Sequence, residues 1–396
     1  MSPFKTWFRH FIIKTFYTLI MKRFKLILCT LLLSFGTSGI MASGSELPKN
    51  RFIVDTSSAS KYVEMAKNRQ TGVIPTSEDW DSLFSTKAYK VFLENTFWDK
   101  SEFKKNVKDA FEIAFDPNRT QECDSLIKIL EVSDNELPFY VSTAKSIRDN
   151  LTSYYSFLNN IDLDSVITAA DDRARDLLPK RGKGIDPEIS PIYFIVWDLE
   201  CRSLDSGIYL DLNSFLQGGR QAAIEVLAHE MHHFYMNPLM GSKYKSDIKD
   251  AAARTLLYNM MEGTADIINK KKMPLESLAP YGDNMLKIYN DDYFSTPTVL
   301  AELDSVTVAY LDKKISEKKY RSSAMSCAHF GGHTTGDFMV FLIRDRLGLD
   351  AVTDSFCDLE KFVRNYNKAA RLADTYQFSD RFINHIIAVA NEAKKE

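Results

Sequence analysis

The chain has 396 residues, which is enough for one large domain or two of ordinary size. Hydrophobic residues make up 45% and charged residues 26% of it, without repeats or low-complexity tracts, so a fibrous or disordered class is excluded. The formal net charge is −3 and the chain has no basic cluster, so nucleic acid is a poor candidate as a partner, because proteins that bind it usually present a basic surface.

Residues 1–44 are predicted to be a leader for export. From Met21 the sequence MKRFKLILCTLLLSFGTSGIMASGS has a basic start, an apolar stretch and then small residues suited to cleavage near residues 42–44. The residues before Met21 are also basic and apolar, so Met21 is a candidate for the true start. An uncleaved anchor is the alternative, because residues 26–42 are borderline in length for a membrane span. We favour cleavage and a periplasmic or extracellular location, with no membrane segment after the leader.

The leader also affects charge and cysteine chemistry. Lipid attachment is not expected, because Leu28 precedes Cys29, where a bacterial lipidation site needs a small residue. The leader carries six basic residues and no acidic one, so its removal takes the net charge from −3 to about −9. The widely spaced cysteines after it predict neither a disulfide framework nor a cysteine zinc site, so a metal would need histidine and carboxylate ligands. These cysteines are Cys123, Cys201, Cys327 and Cys357.

Residues 45–185 are predicted to form a helical region. In SEFKKNVKDAFEIAF, Ser101 is a candidate N-cap before an apolar stripe at helical spacing, and similar patterns cover residues 137–158 and 163–178. Residues 179–191, rich in Gly, Pro and charge, then interrupt the periodicity and place a boundary near residue 185. The aromatic residues of this region are expected in the core, with a ligand groove as the alternative. They include Trp80, Phe84, Phe97, Trp98, Tyr154 and Tyr155.

The second region, residues 186–396, is predicted to begin with two strands and to continue as helices. Residues 192–199, IYFIVWDL, are a β-branched and aromatic run of strand length, and residues 207–213, GIYLDLN, alternate as a half-buried strand does. The turn residues LDSG between them predict an antiparallel pair. We therefore expect an α+β fold that is predominantly helical, with this pair directly before the histidine-rich segment.

The segment His229-Glu230-Met231-His232-His233 fits the zinc-binding pattern H-E-x-x-H. On a helix, residues four apart lie on one face, so His229 and His233 can direct two imidazoles at one ion. His232 could compete as a ligand, but four-residue spacing with glutamate in second place favours His233. Pro238 is expected to end this helix.

Glu262 and Asp266 are predicted to complete the site from a second helix. They lie four apart in YNMMEGTADIIN, within a helical pattern for which Ser246 is the candidate cap. Zinc held by two histidines needs a third protein ligand, for which Glu262 is the candidate, and Asp266 can accept the free ring N–H of a liganding histidine, with His229 preferred. The small residue Gly263 is expected to let this helix approach the first one closely.

The combination of His229-Glu230-x-x-His233 with Glu262-x-x-x-Asp266 resembles the gluzincins, the thermolysin-like zinc metallopeptidases with a glutamate as third ligand. It is similar in particular to families of exported bacterial proteins described as zinc-dependent peptidases. The resemblance covers residues 220–270 and implies a thermolysin-like zincin core, a Zn²⁺ cofactor and a peptide or protein substrate.

A later helix supplies one more candidate. Thr334 and Asp337 are spaced as in a capping box, which places His333 at the N-terminus of an apolar helix, where the preceding glycines permit close backbone approach. Gluzincins commonly use a His or Tyr from a later helix to stabilise the oxyanion, so the resemblance makes His333 the candidate for that role, with a structural cap as the alternative.

These patterns predict an exported zinc-dependent hydrolase, a metallopeptidase in which Glu230 acts as the general base for a zinc-activated water. Two other functions remain open. One is a binding protein in which zinc is structural, with His232 as the fourth ligand. The other is a helical, aromatic-rich carbohydrate-binding protein in which the motif is accidental. Oligomeric state and cleavage specificity are not indicated by the sequence.

Overall fold

The computed structural model describes residues 52–95, 99–129, 136–160, 163–184, 191–196, 201–204, 206–216, 218–277 and 282–395. The predicted leader, as well as Phe97 and Trp98, lies outside them. The strands are β1 (Ile53–Asp55), β2 (Pro191–Ile195), β3 (Cys201–Leu204) and β4 (Gly207–Asp211). The helices are α1 (Ser57–Gln70), α2 (Ser77–Phe84), α3 (Lys87–Asn95), α4 (Lys100–Phe115), α5 (Thr120–Lys128), α6 (Leu137–Asp149), α7 (Leu151–Asn160), α8 (Leu163–Asp176), α9 (Leu212–Leu216), α10 (Gly219–Lys243), α11 (Ala251–Asn269), α12 (Gly282–Leu311), α13 (Glu317–Met325), α14 (His333–Leu347), α15 (Leu349–Ser355), α16 (Leu359–Leu372) and α17 (Asp380–Ala393).

Helices therefore predominate, as the sequence predicts, and the strands form one small mixed sheet. Contacts divide the described residues into two compact units. The first contains the residues up to Thr168 and those from 191 to Leu227, and the second contains residues 169–184 and those from Ala228 onward. The boundary near residue 185 that the sequence indicates remains a prediction.

The sheet of the first unit has the strand order β1-β2-β4-β3. β2 runs parallel to both β1 and β4, with Ile192 opposite Ile208, and only β3 runs antiparallel, paired with β4. β2 and β4 are almost wholly buried, as parallel strands covered on both faces usually are. Gly207 begins β4 with φ +143, and a Cβ there would lie 2.6 Å from the Pro191 carbonyl oxygen, so this tight junction requires glycine.

The predicted antiparallel pairing of residues 192–199 with 207–213 is therefore wrong. The turn residues before Gly207 connect β4 to β3, a short strand of four half-buried residues that carries no clear alternation. Because β3 takes the antiparallel position at the edge, β4 lies between β2 and β3 and pairs with β2 in parallel. Residues 197–199 of the predicted first strand lie outside the described residues.

Most of the described aromatic side chains of the first unit lie in its core. Trp80, Phe84 and Tyr154 are buried, and Trp80 packs edge-on against Phe111 with ring centroids 5.3 Å apart. Tyr155 is the exception, at 45% exposed. The aromatic residues of this group that the structure describes therefore do not line a groove, which a carbohydrate-binding function would require.

The second unit is organised by the crossing of α11 and α14. A Cβ on Gly263 would lie 2.3 Å from the Gly336 carbonyl oxygen, and a Cβ on Gly336 would lie 2.2 Å from the Asn259 carbonyl oxygen. The two backbones therefore touch, which only glycine at both positions allows. The sequence predicted that Gly263 would admit the histidine helix, α10; its close neighbour is α14 instead. This crossing brings the residues around Glu262 to the start of α14.

Three predicted helix boundaries are wrong. The N-cap of α4 is Asp99, whose side chain accepts the N–H groups of Ser101 and Glu102, so Ser101 lies inside the helix. Pro238 does not end α10, which continues to Lys243. Its neighbours Tyr235 and Leu239 are fully buried, and this packing outweighs the backbone hydrogen bond that proline removes. α11 begins at Ala251 with Asp250 as its cap, whose side chain accepts the Ala253 N–H at 3.0 Å, so Ser246 is not the cap.

Within the part of the chain that the structure describes, no helix is both long and apolar enough to cross a membrane. The four cysteines after the leader all have free thiols, and Cys201 alone among them is not fully buried.

Candidate metal centre

The two motif histidines lie on one face of α10. The Nε2 atoms of His229 and His233 are 3.1 Å apart, and their rings stand nearly perpendicular. Burial and the positive charge of His233 lower the pKa of His229 to about 3, so His229 is neutral and its Nε2 can offer a lone pair. The i, i+4 spacing therefore places both ring nitrogens at a common point.

Glu262 of α11 supplies the third donor atom. Its Oε2 lies 3.7 Å from His229 Nε2 and 3.4 Å from His233 Nε2. Burial opposes ionisation of this carboxyl group, but the charges of His233 and His333 outweigh it and lower the Glu262 pKa to about 2. Among the described residues, His229, His233 and Glu262 are the group whose donor atoms converge closely enough to hold one metal ion.

These distances fit a tetrahedral zinc ion. Zinc–nitrogen and zinc–oxygen bonds of ~2.0–2.2 Å at tetrahedral angles place ligand atoms about 3.3 Å apart, close to the three observed separations. The donor set of two imidazoles and one carboxylate also suits zinc. Burial lowers the pKa of His233, but the negative charge of Glu262 outweighs burial and raises it. The point where the three donor atoms converge therefore favours a positive charge.

Glu230 lies next to His229 on α10 and is 7% exposed. Its negative charge contributes, after that of Glu262, to the raised pKa of His233, so its carboxylate acts on the same group of side chains. The structure thus places the predicted base beside the converging donors; its catalytic role stays a prediction.

His333 is the first residue of α14, and Gly332 before it has φ +110. A Cβ on Gly332 would approach the Tyr258 backbone to 3.0 Å, so glycine is needed where this turn meets α11. His333 Nδ1 lies 2.8 Å from Asp266 Oδ2, and its Nε2 lies 3.5 Å from Glu262 Oε2. The side chain is 29% exposed, so it borders the three converging donors from a more open side.

Asp266 bridges two histidines. The sequence predicted His229 as its partner, and the structure places His229 Nδ1 3.4 Å from Asp266 Oδ1, longer than a normal hydrogen bond. The shorter contact is the one that His333 Nδ1 makes with Oδ2. Burial opposes ionisation of Asp266, but Lys270 and His333 hold its pKa well below the usual range. One carboxylate therefore contacts both a candidate ligand and the candidate oxyanion residue.

The predicted capping box of Thr334 and Asp337 is not formed. α14 has no side-chain cap, because Thr334 donates its hydroxyl to Asp292 of α12 and Asp337 accepts from Tyr289 and Lys270. These partners lie far away in the sequence, so they outcompete the local interaction only once the fold has formed.

Several residues around the site are not indicated by the sequence pattern. Lys270 belongs to a Lys-Lys-Lys run that is typical of a solvated surface, yet its side chain is only 14% exposed and bonds Asp266. Its position four residues after Asp266 is the signal that could have identified it. Asp292, which contacts both His329 and Thr334, carries no comparable signal in the sequence.

His232 does not join the converging donors. It is fully buried, and its ring centroid lies 4.3 Å from that of Phe356. Burial and the neighbouring His233 lower its pKa to about 3, as expected for a neutral core histidine.

Comparison with known proteins adds the family. No curated protein and no solved structure matches the chain. The model of one family, described as "Putative zinc dependent peptidase (DUF5700)", matches residues 80–375. Since that segment covers about three quarters of the chain and includes every residue of the candidate metal centre, the chain belongs to this family of zinc-dependent peptidases.

Proposed function

We propose that the chain is a gluzincin-type peptidase whose zinc ion is held by His229, His233 and Glu262. The observation that carries this proposal is the convergence of their three donor atoms at separations of 3.1, 3.4 and 3.7 Å. Three protein ligands leave one tetrahedral position for water or substrate, as in catalytic rather than structural zinc sites. Membership in a family of zinc-dependent peptidases supports a peptide as the substrate.

The chemistry follows from the side chains around this point. When bound, zinc supplies a Lewis acid that polarises the scissile carbonyl and acidifies a water molecule. The Glu230 carboxylate accepts the proton that the attacking water loses and delivers it to the nitrogen of the leaving amine. His333 donates a hydrogen bond from Nε2 to the carbonyl oxygen as negative charge develops there.

The state of His333 supports its role. Its Nδ1 donates to Asp266, so a proton on Nε2 requires the doubly protonated ring. Burial opposes that form, but the charges of Asp266 and Glu262 outweigh burial and raise the His333 pKa to about 9. The Asp266 carboxylate therefore both anchors the ring and favours the proton that Nε2 would donate toward the substrate.

A purely structural zinc site is the second candidate, and one observation weighs against it. Such a site normally closes with a fourth protein ligand, for which the sequence offered His232. That ring packs against Phe356 in the core, and the converging group among the described residues has three members. We expect His232→Ala to bind zinc as tightly as the natural chain; loss of the metal in this variant would favour the structural role.

Export belongs to the same proposal. The leader motif of residues 1–44 supports cleavage near residues 42–44 and release outside the cytoplasm, where the acidic mature chain would act. N-terminal sequencing of the protein recovered from fractionated bacterial cells tests this. A mature N-terminus near residue 45 in the exported fraction is expected, and an intact leader in the membrane fraction would contradict cleavage.

The enzymatic proposal is tested by metal analysis coupled to digestion of a peptide library. We expect one zinc per chain, cleavage of library peptides, loss of cleavage when a chelator removes the metal, and recovery when zinc is restored. A chain with no stoichiometric zinc would overturn the metal site. A zinc-loaded chain that cleaves no peptide would overturn the peptidase activity.

A further inference from the structure

Asp266 belongs to a buried polar group that contacts its Oδ2 atom, whereas its Oδ1 atom faces His229. This group consists of Asp266, Lys270, Tyr289 and Asp337, and we refer to it as the Lys270 cluster. Lys270 Nζ donates to Asp266 Oδ2 at 2.6 Å, to the Tyr289 hydroxyl at 2.6 Å and to Asp337 Oδ2 at 3.1 Å. The Tyr289 hydroxyl donates in turn to Asp337 Oδ2 at 2.8 Å. The three donors of the ammonium group therefore all have acceptors.

Burying such a cluster in the core is unfavourable for stability. The carboxyl groups of Asp266 and Asp337 are 1% and 0% exposed, and burial and the charge of Asp266 raise the pKa of Asp337 well above its usual range. Removing the charges of Asp266 and Lys270 from water costs more than pairing usually recovers. Apolar side chains of the same volume would pack this space more stably. The charges therefore fit a role in orientation better than a role in stability.

The cluster is fixed from three helices. Asp266 lies in the last turn of α11, and the backbone N–H of Lys270 donates to the Asp266 carbonyl oxygen at 2.6 Å. Tyr289 comes from α12 and Asp337 from α14. Because Lys270 is held at its backbone and at its ammonium group, its position is determined before any substrate arrives.

Asp266 Oδ2 links Lys270 to the candidate metal centre. The same oxygen that accepts from Lys270 also accepts from His333 Nδ1, while Oδ1 faces His229. Rotation of the carboxylate would break the contact with His333, so the bond from Lys270 fixes the plane in which the imidazole must lie. His333 is the most exposed of the site's histidines, so its side chain has the most conformational freedom unless Asp266 holds it.

We propose that Lys270 is a positioning residue, which locks the Asp266 carboxylate so that His333 directs Nε2 into the site; this inference rests on the proposed oxyanion role of His333. Lys270 does not touch substrate. It acts through Asp266, and Tyr289 and Asp337 hold its ammonium group in place.

The test compares Lys270→Met with the matched control Lys272→Met, whose side chain is exposed and pairs with Glu276 at the surface. In proton NMR, the His333 Nδ1–H held by Asp266 should give a slowly exchanging downfield signal, assigned by its loss in His333→Asn. We expect that signal to vanish or broaden in Lys270→Met and to persist in Lys272→Met. On zinc-loaded protein, kcat should fall ~10–100-fold in Lys270→Met with KM unchanged.

Two outcomes overturn the inference: an unchanged His333 signal in folded Lys270→Met, or an unchanged kcat. If Lys270→Met does not fold, Lys270→Gln keeps a hydrogen-bond donor in the core but is one bond shorter, so it cannot hold Asp266 Oδ2 as Lys270 does. A wild-type His333 signal in that variant would equally overturn it. If the natural chain cleaves no peptide, the proposed function fails, whereas the NMR signal still decides whether Lys270 positions His333.

Discussion

The two ends of α11 each combine carboxylate and histidine, but they differ in how their polar atoms are satisfied. At the start of the helix, Asp250 accepts the Ala253 N–H, the Tyr320 hydroxyl and His385 Nε2, all at 2.9–3.0 Å. In the second half, Glu262 faces His229 and His233, whose Nε2 atoms point at each other rather than at separate partners.

A structural cluster and a candidate metal site therefore differ in whether the protein alone satisfies their polar atoms. The Asp250 cluster is complete within the protein, so its groups need nothing more and serve to cap α11 and hold it to its neighbours. The Glu262 cluster brings two ring nitrogens and one carboxylate oxygen to one point, an arrangement that suits a metal cation bound between them. Loss of a side chain from the Glu262 cluster should therefore affect metal binding, whereas loss of one from the Asp250 cluster should affect stability.

The largest effect is expected from His233→Ala. Removal of one of three ligands should weaken zinc binding by more than the ~100-fold that outer partners contribute. The control is His385→Ala, which removes the histidine of the Asp250 cluster and should leave zinc content unchanged. Zinc content after dialysis against a competing chelator measures both. Equal zinc loss in the two variants would show that the Glu262 cluster is not the specific zinc site.

Asp250→Ala should produce the opposite pattern. It removes the cap of α11 and leaves Tyr320 and His385 without their acceptor, so the free energy of unfolding should fall by about 2–4 kcal/mol. Zinc affinity of the folded protein should stay unchanged. Urea denaturation measures the stability, and Asp247→Ala, an exposed carboxylate just before the helix, should change it by less than ~0.5 kcal/mol.

The Asp250 cluster also predicts a pH dependence. Although burial opposes ionisation, the bonds from His385 and Ala253 lower the Asp250 pKa from its ordinary value of 3.8. A lowered pKa in the folded state stabilises the protein above the unfolded value, and this contribution is lost as pH falls through the folded value. The stability difference between the natural chain and Asp250→Asn should therefore be full at pH 7 and shrink below about pH 4. A difference that grows on acidification would contradict this assignment.

A smaller effect on the metal is expected from Asp266→Ala, because Asp266 contacts His229 and His333 rather than the ion. Zinc affinity should fall ~10–100-fold without unfolding the protein. The control Asp291→Ala removes an exposed carboxylate of α12 that pairs with Lys287. A competition titration that gives equal affinities for Asp266→Ala and the natural chain would show that Asp266 does not support the metal ligands.

These regions also differ in how far sequence could predict them. The positions of His229, His233 and Glu262 depend on helical periodicity, which is local, and the structure brings them together. The cap of α14 could not be predicted, because Thr334 and Asp337 bond to α12 residues rather than to the local backbone. The parallel pairing of β2 with β4 could not be predicted, because the sequence does not indicate the edge strand β3 that takes the antiparallel position beside β4. Local patterns thus predict elements, whereas competition among distant partners decides their ends and pairings.

If the metal centre at Glu262 is catalytic, the Glu230→Gln variant should lose hydrolysis while it keeps zinc. Glutamine keeps the size of Glu230 and its ability to form hydrogen bonds, but it cannot take the proton of the attacking water. The matched control is Glu225→Gln, a carboxylate on the same helix that pairs with Gln221.

Both variants should bind one zinc per chain and match the stability of the natural protein. With purified protein and a library peptide that the natural chain cleaves, Glu230→Gln should reduce hydrolysis by at least ~100-fold and Glu225→Gln should leave it unchanged. Peptide turnover by zinc-loaded Glu230→Gln at the rate of the natural chain would show that Glu230 is not the general base.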